Sequence, residues 1–561
     1  MTDSRPPVYP ELTRPGSDGP AGRLDEALYD LVEARFERLL RDNPILATSI
    51  GIHEHDDELG DAGVDALLSE VEADKAHLAM IESLDPDELS EGARFERELE
   101  IHNVRQSTFE AEEIRIWERR STALDLLGDG LFLLFARDHA PLPERLAAIA
   151  GRLEAVPTYM DQARTRARVP QVRPWQKIEI ESAAEMPAFF DEIVAAGDGL
   201  LGDRDRRRLE RAVEGAKIAV AEYRGWLLDS LAGGTDDWAV GRELHDEFIA
   251  HRAFDDLDSD TILELGVKTL AEEKAARTAT AREIDPGVDE PAVVDLVKSD
   301  HPETFRGALE SYRDAMLRAR QHLIDRDLVS IPEGESIDVI ETPVYLHNVI
   351  PFAAYFEPAK FDRKQTGIYV VTPSVGANAG AMREHNYASI SNTSIHEAYP
   401  GHHLQLTVAS RHPSLTRLLA NAPEFVEGWG MYTELMMREH GFDDDPRCRL
   451  ILHTDAIWRA CRIILDVRMH RGEVSMEEAA RFLVEHTSFE VPNARAEVQW
   501  YSFRPTYPMS YLLGRTMLLD LRDDERRRLG DRFSLRDFHD TLLRNGSIPI
   551  SFHRRLLAAG A

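Results

Sequence analysis

The chain has 561 residues, of which 43% are hydrophobic, so it is long enough to bury a large core. Its formal net charge is −35, from 101 acidic and 66 basic residues, and this balance argues against nucleic-acid binding, which needs concentrated lysine and arginine. No stretch of about 20 uninterrupted apolar residues predicts a membrane span, and the first residues lack the apolar segment of a secretory signal.

Cysteine usage is typical of a reducing compartment. The sequence contains two cysteines, Cys448 and Cys461, which are too few for a disulfide framework in so long a chain. We therefore expect a cytoplasmic protein with no membrane partner and no nucleic-acid partner. The sequence leaves its oligomeric state open.

Helical spacing dominates the first half of the chain. Residues 1 to about 22 are rich in Pro, Gly, Asp and Ser, which predicts a disordered tail. Apolar residues then recur three and four positions apart, which predicts helices in the segments 24–40, 93–109, 143–167 and 184–231. The acidic turn at 232–237 predicts a division of one catalytic domain, 23–561, into a helical lobe at about 23–235 and a catalytic lobe at about 236–561. His53, in the segment 44–53, is interpreted as a local structural residue.

The helical spacing is interrupted between about residues 336 and 374. Three β-branched or aromatic runs bounded by Pro and Gly predict short strands at 337–341, 352–356 and 367–372. The segment 374–380 then has the composition of a flexible loop, which could act as a lid.

A histidine-rich segment follows, and it predicts a metal site. Residues 394–405 place His396, Glu397, His402 and His403 within eight positions. Imidazole nitrogens are zinc ligands, and a Glu beside the first ligand can take a proton from a water whose pKa the ion lowers.

The spacing of these histidines departs from the familiar His-Glu-x-x-His motif, whose two histidines lie one helical turn apart. Pro400 stands where the second histidine would be, so the helix must bulge or restart near Pro400 and Gly401. A bulge that absorbs two extra residues would bring His402 to the one-turn position, which favours His402 as the second ligand. His403 remains the alternative.

A third ligand is predicted in the segment 424–434, an apolar stretch with helical spacing that carries acids into the expected core. Glu427 follows His402 at a separation that allows a turn and a returning helix. An unpaired buried carboxylate is costly, and a metal ion would offset that cost.

Several parts of the sequence together resemble the bacterial domain-of-unknown-function family eight-eight-five. They are the segments around His396 and Glu427, the run 462–470, and Tyr501, Pro505 and Tyr511. The resemblance runs from about Leu24 to near the C-terminus. That family is similar to the helical gluzincin peptidases, which include the thimet oligopeptidase, angiotensin-converting enzyme and thermostable carboxypeptidase groups. The resemblance implies a mostly α-helical, two-lobed domain with an active-site channel and a small antiparallel β-sheet beside the metal helix.

The resemblance also implies roles for residues outside the metal motif. An edge strand of the sheet would hold the substrate backbone, for which the candidates are Tyr369, Val370, Val371 and Thr372. Asp466 would orient a histidine ligand, or would instead pair with Arg462.

Two tyrosines are assigned to the oxyanion by the same resemblance. Tyr511 stands where the related peptidases donate a hydrogen bond to the oxyanion, and Tyr507 stands where more distant relatives also carry a tyrosine. The family pattern has Gly and Gln where this chain has Thr506 and Tyr507, which leaves the polarity of the substrate pocket open.

These features predict a zinc-dependent peptidase that hydrolyses short unfolded peptides, with His396, His402 and Glu427 as ligands and Glu397 as general base. Two alternatives are a zinc-dependent amidase acting on a small metabolite and a noncatalytic metal-stabilised binding protein. The choice between exopeptidase and endopeptidase action and the side-chain preference stay open.

Overall fold

The computed structural model describes residues 22–255, 257–347, 350, 352–373, 381–487 and 489–559. The predicted tail, apart from Gly22, and the predicted loop at 374–380 lie outside these residues. Within the described part, no helix is both long and apolar enough to cross a membrane.

Helices make up most of the structure that precedes the sheet. Their bounds are α1 Asp25–Asp42, α2 Pro44–Ile50, α3 Val64–Ser83, α4 Glu91–Phe109, α5 Ile116–Arg119, α6 Ala123–Ala136, α7 Leu142–Arg164, α8 Arg173–Ala196, α9 Asp203–Ser230, α10 Arg242–His251, α11 Ser259–Ile284, α12 Glu290–Ser299 and α13 Phe305–Arg326. The predicted helices at 24–40, 93–109 and 143–167 correspond to α1, α4 and α7. The helical run at 184–231 is divided between α8 and α9.

A three-stranded sheet follows, with the strands β1 Ser336–Glu341, β2 Ala353–Phe356 and β3 Thr366–Val371. All three predicted strands are therefore confirmed. The strand order is β1-β3-β2, in which β3 pairs in parallel with β1 and antiparallel with β2. The expectation of an antiparallel sheet is wrong for the β1–β3 pair, because β1 and β3 run in the same direction.

Helices also form the C-terminal part of the chain. Their bounds are α14 Tyr387–Glu397, α15 His402–Ala409, α16 Leu415–Leu419, α17 Pro423–Glu439, α18 Pro446–His470, α19 Met476–His486, α20 Val491–Ser502, α21 Ser510–Leu529, α22 Leu535–Arg544 and α23 Ile550–Ala559. Capping residues and prolines determine where several of these helices begin. Pro423 occupies the first turn of α17, and the Asp445 side chain caps α18 by accepting from the backbone N–H groups of Arg447 and Cys448.

The core consists mainly of two hydrophobic clusters. The N-terminal cluster contains buried residues between Leu59 and Leu227 together with Leu346, Ile368 and Val370, and the C-terminal cluster contains buried residues between Ile249 and Leu557. Strand β3 joins them, because Ile368 and Val370 pack in the N-terminal cluster whereas Tyr369 and Val371 pack in the C-terminal one. This follows from the two-residue period of a strand. The division into lobes near residue 235 stays a prediction.

Candidate metal centre

The helix that carries the first histidine ends in a bulge. Helix α14 ends at Glu397 and α15 begins at His402. Between them the Gly401 N–H donates to the Ile395 carbonyl at 3.0 Å and the Leu404 N–H donates to the Ala398 carbonyl at 3.3 Å, so each bond reaches back six residues instead of four. This is the two-residue bulge that the sequence predicts.

Only glycine fits at the end of the bulge. A Cβ atom at Gly401 would overlap the carbonyl oxygen of His396. The Pro-Gly pair thus ends one helix and lets the next begin at His402. The rings of His396 and His402 lie 4.7 Å apart between centroids and are nearly perpendicular.

The two histidines converge on Glu427 in α17. The Glu427 Oε2 atom lies 3.6 Å from His396 Nε2 and 3.4 Å from His402 Nε2. One ligand atom from each residue lies within 4.8 Å of the others, and all three residues are buried. Two ligands of a tetrahedral zinc ion, each about 2.0–2.2 Å from the metal, are about 3.4 Å apart. The donor set and its spacing therefore fit zinc.

The first histidine is oriented by a carboxylate that the sequence reading did not assign. His396 Nδ1 lies 2.7 Å from Glu434 Oε1, and Asn392 donates to the other Glu434 oxygen at 2.8 Å. Because a carboxylate only accepts, the proton resides on Nδ1, which directs the lone pair of Nε2 toward Glu427 and the metal position. Gly430 makes room for the ring, since a Cβ there would lie 2.6 Å from His396 Cε1.

Glu427, the third candidate ligand, is oriented by Tyr507. Its hydroxyl donates to Glu427 Oε1 at 2.7 Å and so leaves Oε2 to face the histidines. Helix α21 comes close to α17 at Gly514, where a Cβ would overlap the carbonyl oxygen of Glu424. The same helix carries Tyr511, whose half-buried ring lies 6.4 Å from the His396 ring and nearly parallel to it.

Glu397, the predicted general base, is the last residue of α14 and is half-buried. Burial raises the pKa of Glu397, and the nearby charge of Glu427 adds to this, whereas His402 and His396 act in the opposite direction. A carboxylate with a raised pKa is a better proton acceptor for a water molecule than an exposed one.

His403, the alternative candidate ligand, faces away from Glu427. Its Nε2 atom lies 2.7 Å from Glu335 Oε2, and its Nδ1 atom lies 2.9 Å from the Tyr355 hydroxyl. Both nitrogens therefore have partners away from Glu427. His403 is completely buried and helps to hold the bulge against the segment that precedes β1.

Asp466 does not take either of its two expected roles. It accepts from the Thr506 backbone N–H at 3.1 Å and lies 3.2 Å from His245 Nε2, so it contacts no metal-ligand histidine. Arg462 instead pairs with Glu497 at 3.0 Å. The expectation for Asp466 is therefore wrong, because its helix turns this side chain toward α10 and not toward α14.

The expectation that Tyr369 to Thr372 form an edge strand is also wrong, and substrate binding by these residues stays a prediction. Tyr369, Val370 and Val371 lie in β3, the central strand, whose backbone is paired with β1 on one side and β2 on the other. Thr372 donates its backbone N–H to Phe352 and its hydroxyl to Ile350. None of the four has a free backbone edge for strand addition, because the edges of this sheet are β1 and β2.

A second group of possible metal ligands, His53, Asp56 and His139, lies away from this centre. The two imidazole rings are stacked with centroids 4.0 Å apart and planes within 5°. Ring lone pairs lie in the ring plane, so stacked rings cannot both point at one ion. His53 instead bridges Asp56 at 2.8 Å and Asp362 at 2.7 Å, and although burial lowers its pKa, these carboxylates raise it to about 9. His53 thus joins α2 to the segment between β2 and β3.

Comparison with known proteins identifies the family. Residues 44–557 match the model of a family described as bacterial protein of unknown function (DUF885), and the chain belongs to this family. No curated protein matches significantly.

Two solved structures share the fold. A candidate lipoprotein of unknown function from Shewanella oneidensis superposes with a TM-score of 0.75 at 21% identity, covering 95% of this chain and 99% of its own. A candidate lipoprotein from Colwellia psychrerythraea superposes with a TM-score of 0.83 at 17% identity, covering 96% of this chain and 99% of its own.

Proposed function

We propose that this protein is a zinc-dependent peptidase acting on short unfolded peptides. The observation that carries the proposal is the convergence of His396, His402 and Glu427 at the separations that tetrahedral zinc ligands adopt. Glu434 and Tyr507 hold two of these ligands in place, as supporting residues do in zinc enzymes. Three protein ligands would leave the fourth coordination position of a tetrahedral zinc ion open to water or substrate.

When bound, zinc lowers the pKa of a water molecule and polarises the scissile carbonyl. Glu397 takes a proton from the attacking water and returns it to the leaving amine, a role that its raised pKa favours. Tyr511 is the candidate donor to the oxyanion, because its hydroxyl is near the ligand set and its ring lies beside His396. Tyr507 positions Glu427, to which its hydroxyl donates at 2.7 Å.

Two other functions compete with this proposal. A zinc amidase for a small metabolite would use the same residues on a different substrate. A noncatalytic metal-binding protein has no use for a half-buried, non-ligand Glu397 beside the ligands, and structural zinc sites commonly have four protein ligands. The two buried free cysteines support a reducing compartment, so the cytoplasm is the proposed location.

The central experiment combines metal analysis with peptide hydrolysis. We expect protein purified without added metal to contain one zinc per chain and to cleave members of a mixed peptide library in a chelator-sensitive way. Glu397→Gln should keep the zinc and the melting temperature but cleave about 10²–10⁴-fold more slowly, because the amide keeps the shape without the basicity.

Glu424→Gln is the matched control. Glu424 is buried in the same helix as Glu427, and burial raises its pKa to about 7, so the amide resembles its protonated form. This variant should cleave at a near-normal rate. Near-normal cleavage by Glu397→Gln would reject the assigned base, and an active enzyme that never holds zinc would reject the metal.

A further inference from the structure

The loop between α20 and α21, residues 503–509, carries Tyr507 to the candidate metal centre. The Tyr507 hydroxyl donates to Glu427 at 2.7 Å, and its ring packs edge-on against Trp500, with centroids 5.5 Å apart. Both contacts require the backbone of this short loop to turn the side chain toward α17. The residue immediately before it, Thr506, has the backbone conformation that makes this turn.

That conformation is unfavourable for threonine. The φ of Thr506 is 69°, in the left-handed region, and it is the one β-branched residue with a positive φ in the described chain. Such a conformation costs free energy and persists only where the surroundings impose it. The side chain does not offset the cost, because it is fully buried and its hydroxyl has no hydrogen-bond partner among the described residues. The backbone contacts of Thr506 must therefore hold it in place.

Two hydrogen bonds hold the Thr506 backbone. Its N–H donates to Asp466 Oδ1 at 3.1 Å, and its carbonyl oxygen accepts from the Ser510 hydroxyl at 3.2 Å. The bond to Asp466 is the stronger of the two, because a carboxylate acceptor roughly doubles the strength of a hydrogen bond. Asp466 and Ser510 are both fully buried, so water does not compete for either contact.

Asp466 is itself fixed by a histidine of α10. The same Oδ1 atom lies 3.2 Å from His245 Nε2, and since a carboxylate only accepts, that nitrogen carries the proton. The second oxygen, Oδ2, has no hydrogen-bond partner among the described residues, so Oδ1 makes both bonds. The His245 ring stacks on the His470 ring, with centroids 5.4 Å apart and planes within 18°. Asp466 therefore presents its acceptor oxygen to the loop from a fixed position.

We propose that Asp466 is a positioning residue of the candidate metal centre, which holds Thr506 in its left-handed conformation and thereby directs the Tyr507 hydroxyl to Glu427. This inference rests on the proposed function only in taking Glu427 as a zinc ligand. Relaxation of Thr506 to the right-handed region would rotate its φ by roughly 130° and turn the following side chain away from α17. A contact that served packing alone would not require a strained residue at this point, whereas strained residues are common where the surroundings fix a functional group.

The test measures the zinc affinity of the full-length protein by competition with a chelator. Asp466→Ala should weaken zinc binding by about 10–100-fold, the effect expected when a contact that supports a ligand is lost. Asp466→Asn should retain most of the affinity, because its amide oxygen can still accept from Thr506. Asp466→Ala combined with Tyr507→Phe should bind zinc no more weakly than the weaker single variant, because both changes remove the same contact.

A second substitution in the loop tests whether the strain at Thr506 is the link. Adding Thr506→Gly to Asp466→Ala should restore most of the lost zinc affinity, because glycine adopts a φ of 69° without strain. If Asp466→Ala does not fold, His245→Phe takes its place, since the ring keeps its shape but loses the N–H that fixes Asp466. Zinc binding should again weaken and again recover with Thr506→Gly. A residue that only packs would show no recovery, because Thr506→Gly removes further contacts.

Ser502→Ala is the matched control. Ser502 is fully buried at the end of α20 and accepts from Trp175 Nε1 at 2.7 Å, so this variant should lower the melting temperature and leave zinc affinity unchanged. Equal zinc loss in Ser502→Ala would mean that the effect is general destabilisation and would reject the proposal. Wild-type zinc affinity in Asp466→Ala, additive loss with Tyr507→Phe, or no recovery with Thr506→Gly would each overturn it.

These measurements separate failure of this inference from failure of the peptidase proposal. Zinc affinity needs no turnover, so a protein that binds zinc but cleaves no peptide leaves the test intact. If the wild type binds no zinc, crystal structures of Asp466→Ala with and without Thr506→Gly decide instead. The Tyr507 hydroxyl should lie beyond hydrogen-bond distance of Glu427 in the first and within it in the second. An unchanged contact in Asp466→Ala would reject the positioning role.

Discussion

At the residue scale, Glu427 and Glu397 have different surroundings, and their pKa values shift in opposite directions as a result. Glu427 is fixed by Tyr507 on one oxygen and faces both histidines with the other, whereas Glu397 sits at the end of α14, half-buried beside them. Burial alone would raise the pKa of both, but the two histidines hold the pKa of Glu427 well below its usual range. A deprotonated carboxylate suits a ligand, and a more basic one suits a proton acceptor.

His402 and His403, which are adjacent in the sequence, should respond differently to substitution by alanine. We expect His402→Ala to lose zinc on dialysis, because it removes one of the three proposed ligands. His403→Ala should keep zinc but lower the melting temperature, because the Glu335 carboxylate, 2% exposed, loses a buried partner, at a cost of about 1–3 kcal/mol. Zinc content and thermal unfolding of both variants are the measurements. Greater zinc loss in His403→Ala would refute the ligand assignment.

The two tyrosines should behave differently when each loses its hydroxyl. Tyr511→Phe should keep zinc and lower kcat by about 10²–10³-fold, as expected for the loss of one oxyanion donor. Tyr507→Phe should weaken zinc binding by about 10–100-fold, because Glu427 loses the contact that orients it. Titrating zinc against a competing chelator, beside kcat for both variants, checks this. An unchanged kcat in Tyr511→Phe would show that the Tyr511 hydroxyl has no part in catalysis.

The bulge between His396 and His402 was predictable because both histidines belong to one short motif that contains Pro400 and Gly401. Pro400 and Gly401 require a bulge, and the bulge selects His402 over His403. Glu434 was missed because its contact with His396 depends on the packing of α17 against α14, which no local spacing encodes. One signal for Glu434 was available, since it lies two helical turns after Glu427 on the same face of α17.

At the scale of elements, the glycine contact between α17 and α21 is central to the site. A Cβ at Gly514 would overlap Glu424 and lie 2.8 Å from Gly428 Cα, so the two backbones are in direct contact there. Helix α21 carries Tyr511, and α17 carries Glu427. The separation of the two helices therefore sets the distance between the tyrosine and the ligand.

We expect Gly514→Ala to destabilise the protein by about 1–3 kcal/mol or more through overpacking, and to lower peptide hydrolysis by moving α21 away. Gly225→Ala is the control, because Gly225 lies within α9 with open space around its Cα, and alanine there should stabilise by about 0.5–1 kcal/mol. Thermal unfolding and hydrolysis rates are compared. Normal activity in a destabilised Gly514→Ala would show that the helix spacing does not control the chemistry.

Composition located the strands correctly, but it did not predict their order in the sheet. The pairing of β3 with both neighbours depends on contacts across the chain that β-branched runs do not reveal. A signal for a central strand was nevertheless present, because Ile368, Tyr369, Val370 and Val371 form a continuous apolar run without alternation. Such a run indicates burial on both faces, whereas an edge strand with one wet face alternates.

At the scale of the whole molecule, the three proposed zinc ligands are set among helices that pack through a large hydrophobic core. His396, His402 and Glu427 come from α14, α15 and α17. Their neighbours Ile395, Leu404, Phe425 and Trp429 are fully buried members of the C-terminal cluster. The N-terminal cluster packs without any of the three ligands. Hydrophobic burial on this scale exceeds what one metal ion contributes to folding.

We therefore expect the chelated protein to remain folded, in contrast to small zinc domains, whose folding free energy is largely the metal-binding free energy. Zinc stabilises by mass action, which amounts to about 4 kcal/mol at a free concentration 1,000 times Kd, so its removal should lower the melting temperature by several degrees at most. The far-UV circular dichroism at 25 °C should be unchanged by chelator, and added zinc should restore both the melting temperature and hydrolysis. His402→Ala should melt at the temperature of the chelated wild type and should not respond to chelator, because it has already lost the ion. A collapse of the helical signal on chelation would mean that the metal holds α14, α15 and α17 together, and the site would then be structural instead of catalytic.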